Sequence, residues 1–261
     1  MNPVRQYLAD LWRRKDLLLY LVTSGLKADT RNTLLGYFWW LLDPFLMVVV
    51  FLFVRIVFMG RMQPGDIPFL AVGLVVFQFF SKSLTISSNA IASKAGLITQ
   101  VYLPKAIFPF SVVLTQLINF LFGLVTVAIV LLVSGIRPTV HLAWLPLIIV
   151  AQTLFHLVIS LLVAYATSFV RDLGNILGYL TMILRFSTPV IWESERIPAR
   201  YRWFVDTNPV TWLLNAYRNV LMYGRPPGVR LMVALGSVSL VLTLVLLVHY
   251  TYNEHRIIKV L

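Results

Sequence analysis

The 261-residue chain is 59% hydrophobic and only 12% charged, with a mean hydropathy of +0.83. A water-soluble domain is about half apolar and about a quarter charged and cannot hide that much apolar surface, so lipid has to act as part of the solvent. The net charge of +12 would suggest nucleic acid for a soluble protein, but the basic residues fall mostly between apolar runs and point to headgroups or an anionic cargo; the absence of cysteine excludes disulfides and thiolate metal sites.

Arg5, Asp10, Arg13, Arg14, Lys15 and Asp16 interrupt the first stretch before a long apolar core develops, so no cleavable leader is expected. Val4, Tyr7, Leu8 and Leu11 recur at helical spacing, which predicts an amphipathic interface helix within residues 1–32 with its basic face toward headgroups. The alternative is a short first span. Against it, the uncharged run 17–26 is about half of the roughly 20 residues that a crossing requires.

Asp29, Thr30, Asn32 and Thr33 offer capping oxygens ahead of the next apolar run, so a helix is expected to begin near Thr33 and to span the bilayer over residues 36–59. Gly60, Pro64, Gly65 and Pro68 punctuate a turn, and a second span follows at 67–88, with Lys82 placed to snorkel to the near interface. A polar link holds Asn89, Ser93, Lys94, Gly96 and Gln100. Pro104, Lys105 and Pro109 then introduce a third run at 107–133, proline being tolerated where a helix begins. Ser134, Gly135 and Pro138 close a loop before a fourth span at 143–170, which stops at Arg171 and Asp172; a fifth is expected at 175–191 and the last at 231–252, with a polar tail at 254–261. Residues 192–230 are too polar to span, yet Val210, Leu213, Leu214, Tyr217, Val220 and Leu221 keep helical spacing, so an amphipathic helix is expected to dip into the membrane or pack on its surface there.

The fold expected is therefore an all-α polytopic membrane protein of about six spans, with both termini on one side. Twelve basic residues fall on the side of the termini and eight on the other, with Arg55 and Arg185 inside spans. That bias, and the dense basic cluster ahead of the first span, favour cytoplasmic termini in a cytoplasmic membrane, with 192–230 outside.

Catalytic constellations are missing. No GxxxxGK[ST] loop occurs and Gly is never followed by Lys, so nucleotide phosphates have no cradle and any ATP with its Mg has to sit on another chain. His141, His156, His249 and His255 are scattered, which argues against a metal site; Glu193 and Glu195 beside Arg196 suggest acid and base roles or, more simply, a solvated loop.

Four segments carry a resemblance. The stretch Thr33-Leu34-Leu35-Gly36-Tyr37-Phe38-Trp39-Trp40-Leu41-Leu42-Asp43-Pro44 is similar to the LG-x-x-W…P signature that opens the first span of polysaccharide-exporting ABC permeases. Val101-Tyr102-Leu103-Pro104-Lys105 through Pro109 resembles the same family, as do Phe169-Val170-Arg171-Asp172-Leu173-Gly174 and Ser187-Thr188-Pro189-Val190 followed by Asn208-Pro209 and Tyr217-Arg218, all in the same order. The resemblance implies a homodimer of permeases joined to two ATP-binding subunits, moving a polyisoprenyl-linked glycopolymer such as wall teichoic acid or O-antigen. It also implies a cytoplasmic N-terminal interface helix, a coupling loop between the second and third spans, and re-entrant helices before the last span. Arg13, Arg14, Lys15, Lys94 and Lys105 are expected to couple to the ATP-binding subunit, and Trp192, Asn208, Pro209 and Arg218 to form an external gate region. In the family the first and fifth spans border the path. Asp43 departs from the pattern, and no role is carried over to it.

Read for their chemistry, Tyr37, Phe38, Trp39 and Trp40 suit either stacking platforms for sugar rings or an aromatic belt at the interface. Arg185 lies inside a span, where an unpaired cation costs at least about 2.5 kcal/mol, so it answers either to a lipid-linked pyrophosphate or to a structural partner. Two other functions fit the same sequence: an ABC permease for drugs or lipids, and a membrane glycosyl or phosphoglycosyl transferase. Membrane lipids are partners in every case, and nucleic acid in none.

Overall fold

The computed structural model describes residues 3–30, 33–59, 65–193 and 197–258, and it is all-helical over them, with eleven α-helices and no strand. The protein is an all-α polytopic membrane protein. Two helices open the chain, α1 (Pro3–Arg13) and α2 (Lys15–Thr30), meeting at Arg14. A 3-10 turn at Gly36–Phe38 leads into α3 (Trp39–Met59), and α4 covers Asp66–Ser87. The link carries a 3-10 turn at Ala92–Lys94 and α5 (Ala95–Ile98), after which come α6 (Ile107–Val133), α7 (Leu145–Phe169) and α8 (Leu173–Ser187). The short α9 (Arg202–Asp206) and α10 (Pro209–Leu221) precede α11 (Val229–Ile258).

Four of these helices are long and apolar enough to cross a membrane: α4, α6, α7 with the turn before it, and α11. At 1.5 Å per residue their 22 to 30 residues reach at least the roughly 30 Å of a hydrocarbon core. The stretches expected as the first and fifth spans are not among these four. α3 is apolar over Trp39–Val54, and α8 has 15 residues, about 22 Å. α8 ends early because Pro189 forces the residue before it out of the helical region, and Thr188 is extended at φ −102° and ψ 153°.

α4 is the hub. It packs against α3, α6, α7, α8 and α10, and most of its side chains, Phe69 to Phe77 in particular, are buried. α11 lies along α7 and α2 lies along α6. On α11 the exposed Val238, Val241, Leu244 and Val245 present an apolar surface of the kind that suits lipid. Pro44 sits inside α3, where it cannot donate to Trp40 O; beside this break the Thr126 hydroxyl of α6 donates to the next carbonyl, Leu41 O, at 3.2 Å and ties α6 to α3. Gly123 lets the three helices close there, since a Cβ on it would stand 2.8 Å from Val75 and 3.9 Å from Pro44.

α10 begins as its residues dictate. Asn208 is extended and its side-chain oxygen accepts from Val210 N at 2.9 Å, while Pro209 takes the first helical position, where no donor is needed. The buried face of α10, with Val210, Leu213, Leu214 and Tyr217, enters the main core beside α4 and α7. Tyr217 donates to Gln152 Oε1 at 2.7 Å, which satisfies two polar groups deep between α10 and α7.

Candidate functional site

Polar groups gather at three places. The first is where α1, the segment before α6 and the end of α11 meet. Glu254, one turn from the C-terminal end of α11 and only 5% exposed, accepts from Tyr7 at 2.9 Å and from Tyr102 at 2.9 Å. It also accepts from the backbone N–H of Lys105 at 3.0 Å, and the Lys105 ammonium stands 3.8 Å away, wholly buried. Tyr7 passes the network on by accepting from Ala106 N at 3.4 Å. Burial, then the Glu254 carboxylate, raises the Tyr7 phenol well above its ordinary value, and the same causes push Tyr102 up to about 12, so both remain donors at neutral pH. Burial lowers the Lys105 pKa, and the facing carboxylate opposes that shift.

The second is a cleft of about 290 Å³ between α3, α4 and α6. Trp39 and Trp40 bound it from α3, Phe79 from α4 and Phe120 from α6. Trp40 also packs on Phe122, ring centroids 4.8 Å apart. Between these rings Asp43 Oδ2 accepts from Gln78 at 2.7 Å and pairs with Lys82 at 3.2 Å, and Gln116 and Asn119 line the α6 wall. Gln116 is shared with a second cavity of about 470 Å³, which runs under α2 past Ser24, Asn89, Ser93 and Lys94.

The third place is the opposite end of the bundle, where α8 stops. Just past its end the chain leaves the helix, and the buried Arg218 of α10 donates to Pro189 O at 2.6 Å and to Val190 O at 2.9 Å. Its guanidinium lies 3.4 Å from the centroid of the Phe69 ring. The contact requires Gly73 on α4: a Cβ there would stand 2.5 Å from Val190 O and 2.6 Å from Arg218 Nη2.

The residues singled out from sequence do not form one site. Trp39 and Trp40 line the cleft, Phe38 is exposed on the preceding turn, and the Tyr37 side chain lies outside what the structure describes. Arg185 is separate from them, in the last turn of α8, 5.5 Å from the Phe77 ring, and its Nε has no hydrogen-bond partner among the described residues. Of the basic residues expected to meet an ATP-binding partner, Arg13, Lys15 and Lys94 are exposed, and Arg14 is half-buried. Lys105 is turned inward against Glu254 and Tyr102, so its charge is not presented on the surface. Arg218 is equally internal, and Trp192 folds back to donate to Phe186 O at 2.9 Å. Asn208 and Pro209 cap α10. Glu195, Arg196, Arg61 and Lys259 lie outside the described residues.

Sequence reasoning missed Glu254, read as part of a polar tail, along with Gln78, Gln116, Asn119 and Gly73. A signal existed for the amides: Gln78 with Lys82 and Gln116 with Asn119 are polar pairs at i, i+4 and i, i+3 inside apolar runs, and each pair marks one helix face.

An all-helical bundle with a buried hub helix, charged and amide side chains inside its apolar layer and a polar junction at one end is built as a membrane permease. The chain belongs to the ABC-2 type transporter family, whose model matches residues 16–222. It is similar to the O-antigen export system permease protein RfbA of Myxococcus xanthus, 31% identical over 235 residues that cover 89% of this chain and 90% of the relative. It is also similar to the protein of that name from Klebsiella pneumoniae, 28% identical over 210 residues, which are 80% of this chain and 81% of the relative.

Proposed function

We propose that the chain is the transmembrane subunit of an ATP-driven exporter that carries a polyisoprenyl-phosphate-linked polysaccharide, of the O-antigen or wall teichoic acid kind, across the cytoplasmic membrane. The observation that carries this is the match to O-antigen export permeases over 89% of this chain and 90% of the relative, so the likeness extends over nearly the whole of both chains. ATP and Mg are held by two separate ATP-binding subunits, because no phosphate-cradling loop exists here, and two copies of this chain enclose the path.

In this proposal the exposed basic residues Arg13, Lys15 and Lys94, with Arg14, meet the ATP-binding subunit. Movement of the link at 89–105 then reaches α1 and α11 through Glu254, which touches all three segments. Tyr37, Phe38, Trp39, Trp40 and Arg185 border the substrate path. The segment 192–230, with Trp192, Asn208, Pro209 and Arg218, forms the outer gate, where Arg218 fixes α10 against the end of α8. Arg185, a cation whose Nε has no partner among the described residues, is available to the phosphates of the carrier lipid.

The test is to delete the gene, assay surface polysaccharide, and copurify the chain with its ATP-binding subunit. The deletion removes the polymer from the surface while its lipid-linked precursor accumulates inside. The purified chain alone hydrolyses no ATP, and Arg185→Ala lowers export more than it lowers membrane-inserted protein, with Arg185→Lys retaining part of the flux. Robust ATP hydrolysis by the isolated chain, or unchanged surface polymer after deletion, overturns the proposal.

A further inference from the structure

The cleft between α3, α4 and α6 holds an arrangement that the packing of three helices does not require. Asp43 and Lys82 are each close to half exposed, with side-chain accessibilities of 46% and 44%. Charged groups on helices of a membrane bundle face a bundle interior or a wet cavity rather than lipid, so this half-open pair belongs to the cleft that it lines. Only one oxygen of Asp43 is engaged: Oδ2 takes both Gln78 and Lys82, and Oδ1 has no partner among the described residues. The Lys82 ammonium carries three protons and, among the described residues, gives one hydrogen bond, to Asp43. Acceptor and donor capacity therefore remain side by side, at a distance that two neighbouring hydroxyls on one ring can bridge.

The remaining walls suit the same ligand. Trp39 and Trp40 bring broad apolar faces, while Gln78 and Gln116 bring planar groups that both donate and accept. The ion pair leaves the cleft without net charge, which favours a neutral ligand over a phosphate. A volume of about 290 Å³ sits at the lower limit of small-molecule sites, roughly 300 to 1,000 Å³, room for one ring rather than a chain.

We propose that this cleft is a saccharide subsite, taking a single neutral sugar ring with its face on Trp39 and Trp40 and adjacent hydroxyls on Asp43 Oδ1 and Lys82. The assignment rests on the exporter role and adds to it residues outside the family signature, Asp43 above all. Sugar binding uses the free side of the ion pair, so the bond joining α3 to α4 persists when the cleft is filled.

The test uses the full chain in lipid nanodiscs free of glycoside detergent, with Thr33→Cys at the rim of the cleft as the reporter in a sequence that has no cysteine. The probes are octyl glycosides of glucose, galactose, mannose and N-acetylglucosamine below their micellar concentrations. Tetraethylene glycol mono-octyl ether supplies the same alkyl chain without a sugar. At least one glycoside is expected to slow labelling by a charged methanethiosulfonate about threefold at roughly twice its Kd. The ether leaves the rate unchanged, and so does every probe at a Thr99→Cys control on the exposed link. Asp43→Leu abolishes the protection, and Trp39→Leu, a milder change at the exposed rim, weakens it. Equal protection by ether and glycosides, or none by any of the four sugars, overturns the subsite. Restored surface polymer with no glycoside protection removes the subsite alone. Protection without any exported polymer removes the exporter role and leaves the subsite in place.

Discussion

The carboxylate of Glu254 accepts from two phenols and a backbone amide while the buried Lys105 ammonium stands 3.8 Å away, so each charge justifies the burial of the other. Removing one partner is far worse than removing both. Glu254→Gln leaves the Lys105 cation without a counter-charge and is expected to cost about 3 to 5 kcal/mol, the scale for breaking a buried pair. Lys105→Met leaves the carboxylate its three donors and costs less. Combined, Lys105→Met and Glu254→Gln should recover much of the first loss, because neither ion is then stranded. Thermal unfolding of the four proteins in nanodiscs measures this as a double-mutant cycle, and strictly additive losses would show that the two groups are not coupled. Sequence could not anticipate the junction. Glu254 lies 149 residues from Lys105 and 247 from Tyr7, and a lone acid after an apolar run looks like the start of a solvated tail until the fold brings its donors to it. The burial of Lys105 was illegible for the same reason, since only the position of α11 brings Glu254 to it.

The end of α8 depends on three elements at once. Pro189 stops the helix, Arg218 of α10 takes carbonyls just past that stop, and Gly73 of α4 leaves space for both. Gly73→Ala places a methyl 2.5 Å from Val190 O, and since backbone cannot yield as a side-chain tip can, a loss of about 1 to 3 kcal/mol is expected. Arg218→Lys keeps the charge but reaches fewer of the carbonyls that the guanidinium fork serves together, and it should lower the melting temperature with insertion retained. A Gly73→Ala protein as stable as the wild type would show that α4 and α8 are free to separate here. Part of this region was readable in advance. The spacing of Val210, Leu213, Leu214 and Tyr217 gives α10, and Asn208-Pro209 gives its start, since capping and proline chemistry are local. The shortness of α8 was also visible in Thr188-Pro189, but the apolar residues Val190 and Ile191 carried the expected span past the break. The role of Gly73 was not readable, because a glycine in an apolar run says nothing about which backbone passes beside it.

Composition settled the solvent of the molecule before any element was placed, and the structure adds which ends lie together. Glu254 brings the start of α1, the segment before α6 and the end of α11 to one face; Gly174 at the start of α8 faces Ser88, just past the end of α4, on the same side. Arg218 gathers the start of α4 and the end of α8 on the other, near α9. Ser93 in the link and Ala199 before α9 therefore lie on opposite faces. Charge decides which orientation to expect: the basic cluster around Arg13, Arg14 and Lys15 favours a cytoplasmic first face, although Arg200, Arg202, Arg225 and Arg230 on the second face pull the other way. Long segments orient weakly, so the N-terminal cluster is expected to prevail. With no native cysteine, single cysteines read the outcome in intact cells. Ala199→Cys should react with a membrane-impermeant thiol reagent and Ser93→Cys should not, with both reacting after permeabilisation. The reverse pattern would put the link at 89–105 outside, away from any cytoplasmic ATP-binding subunit, and an ATP-driven exporter could not work that way round.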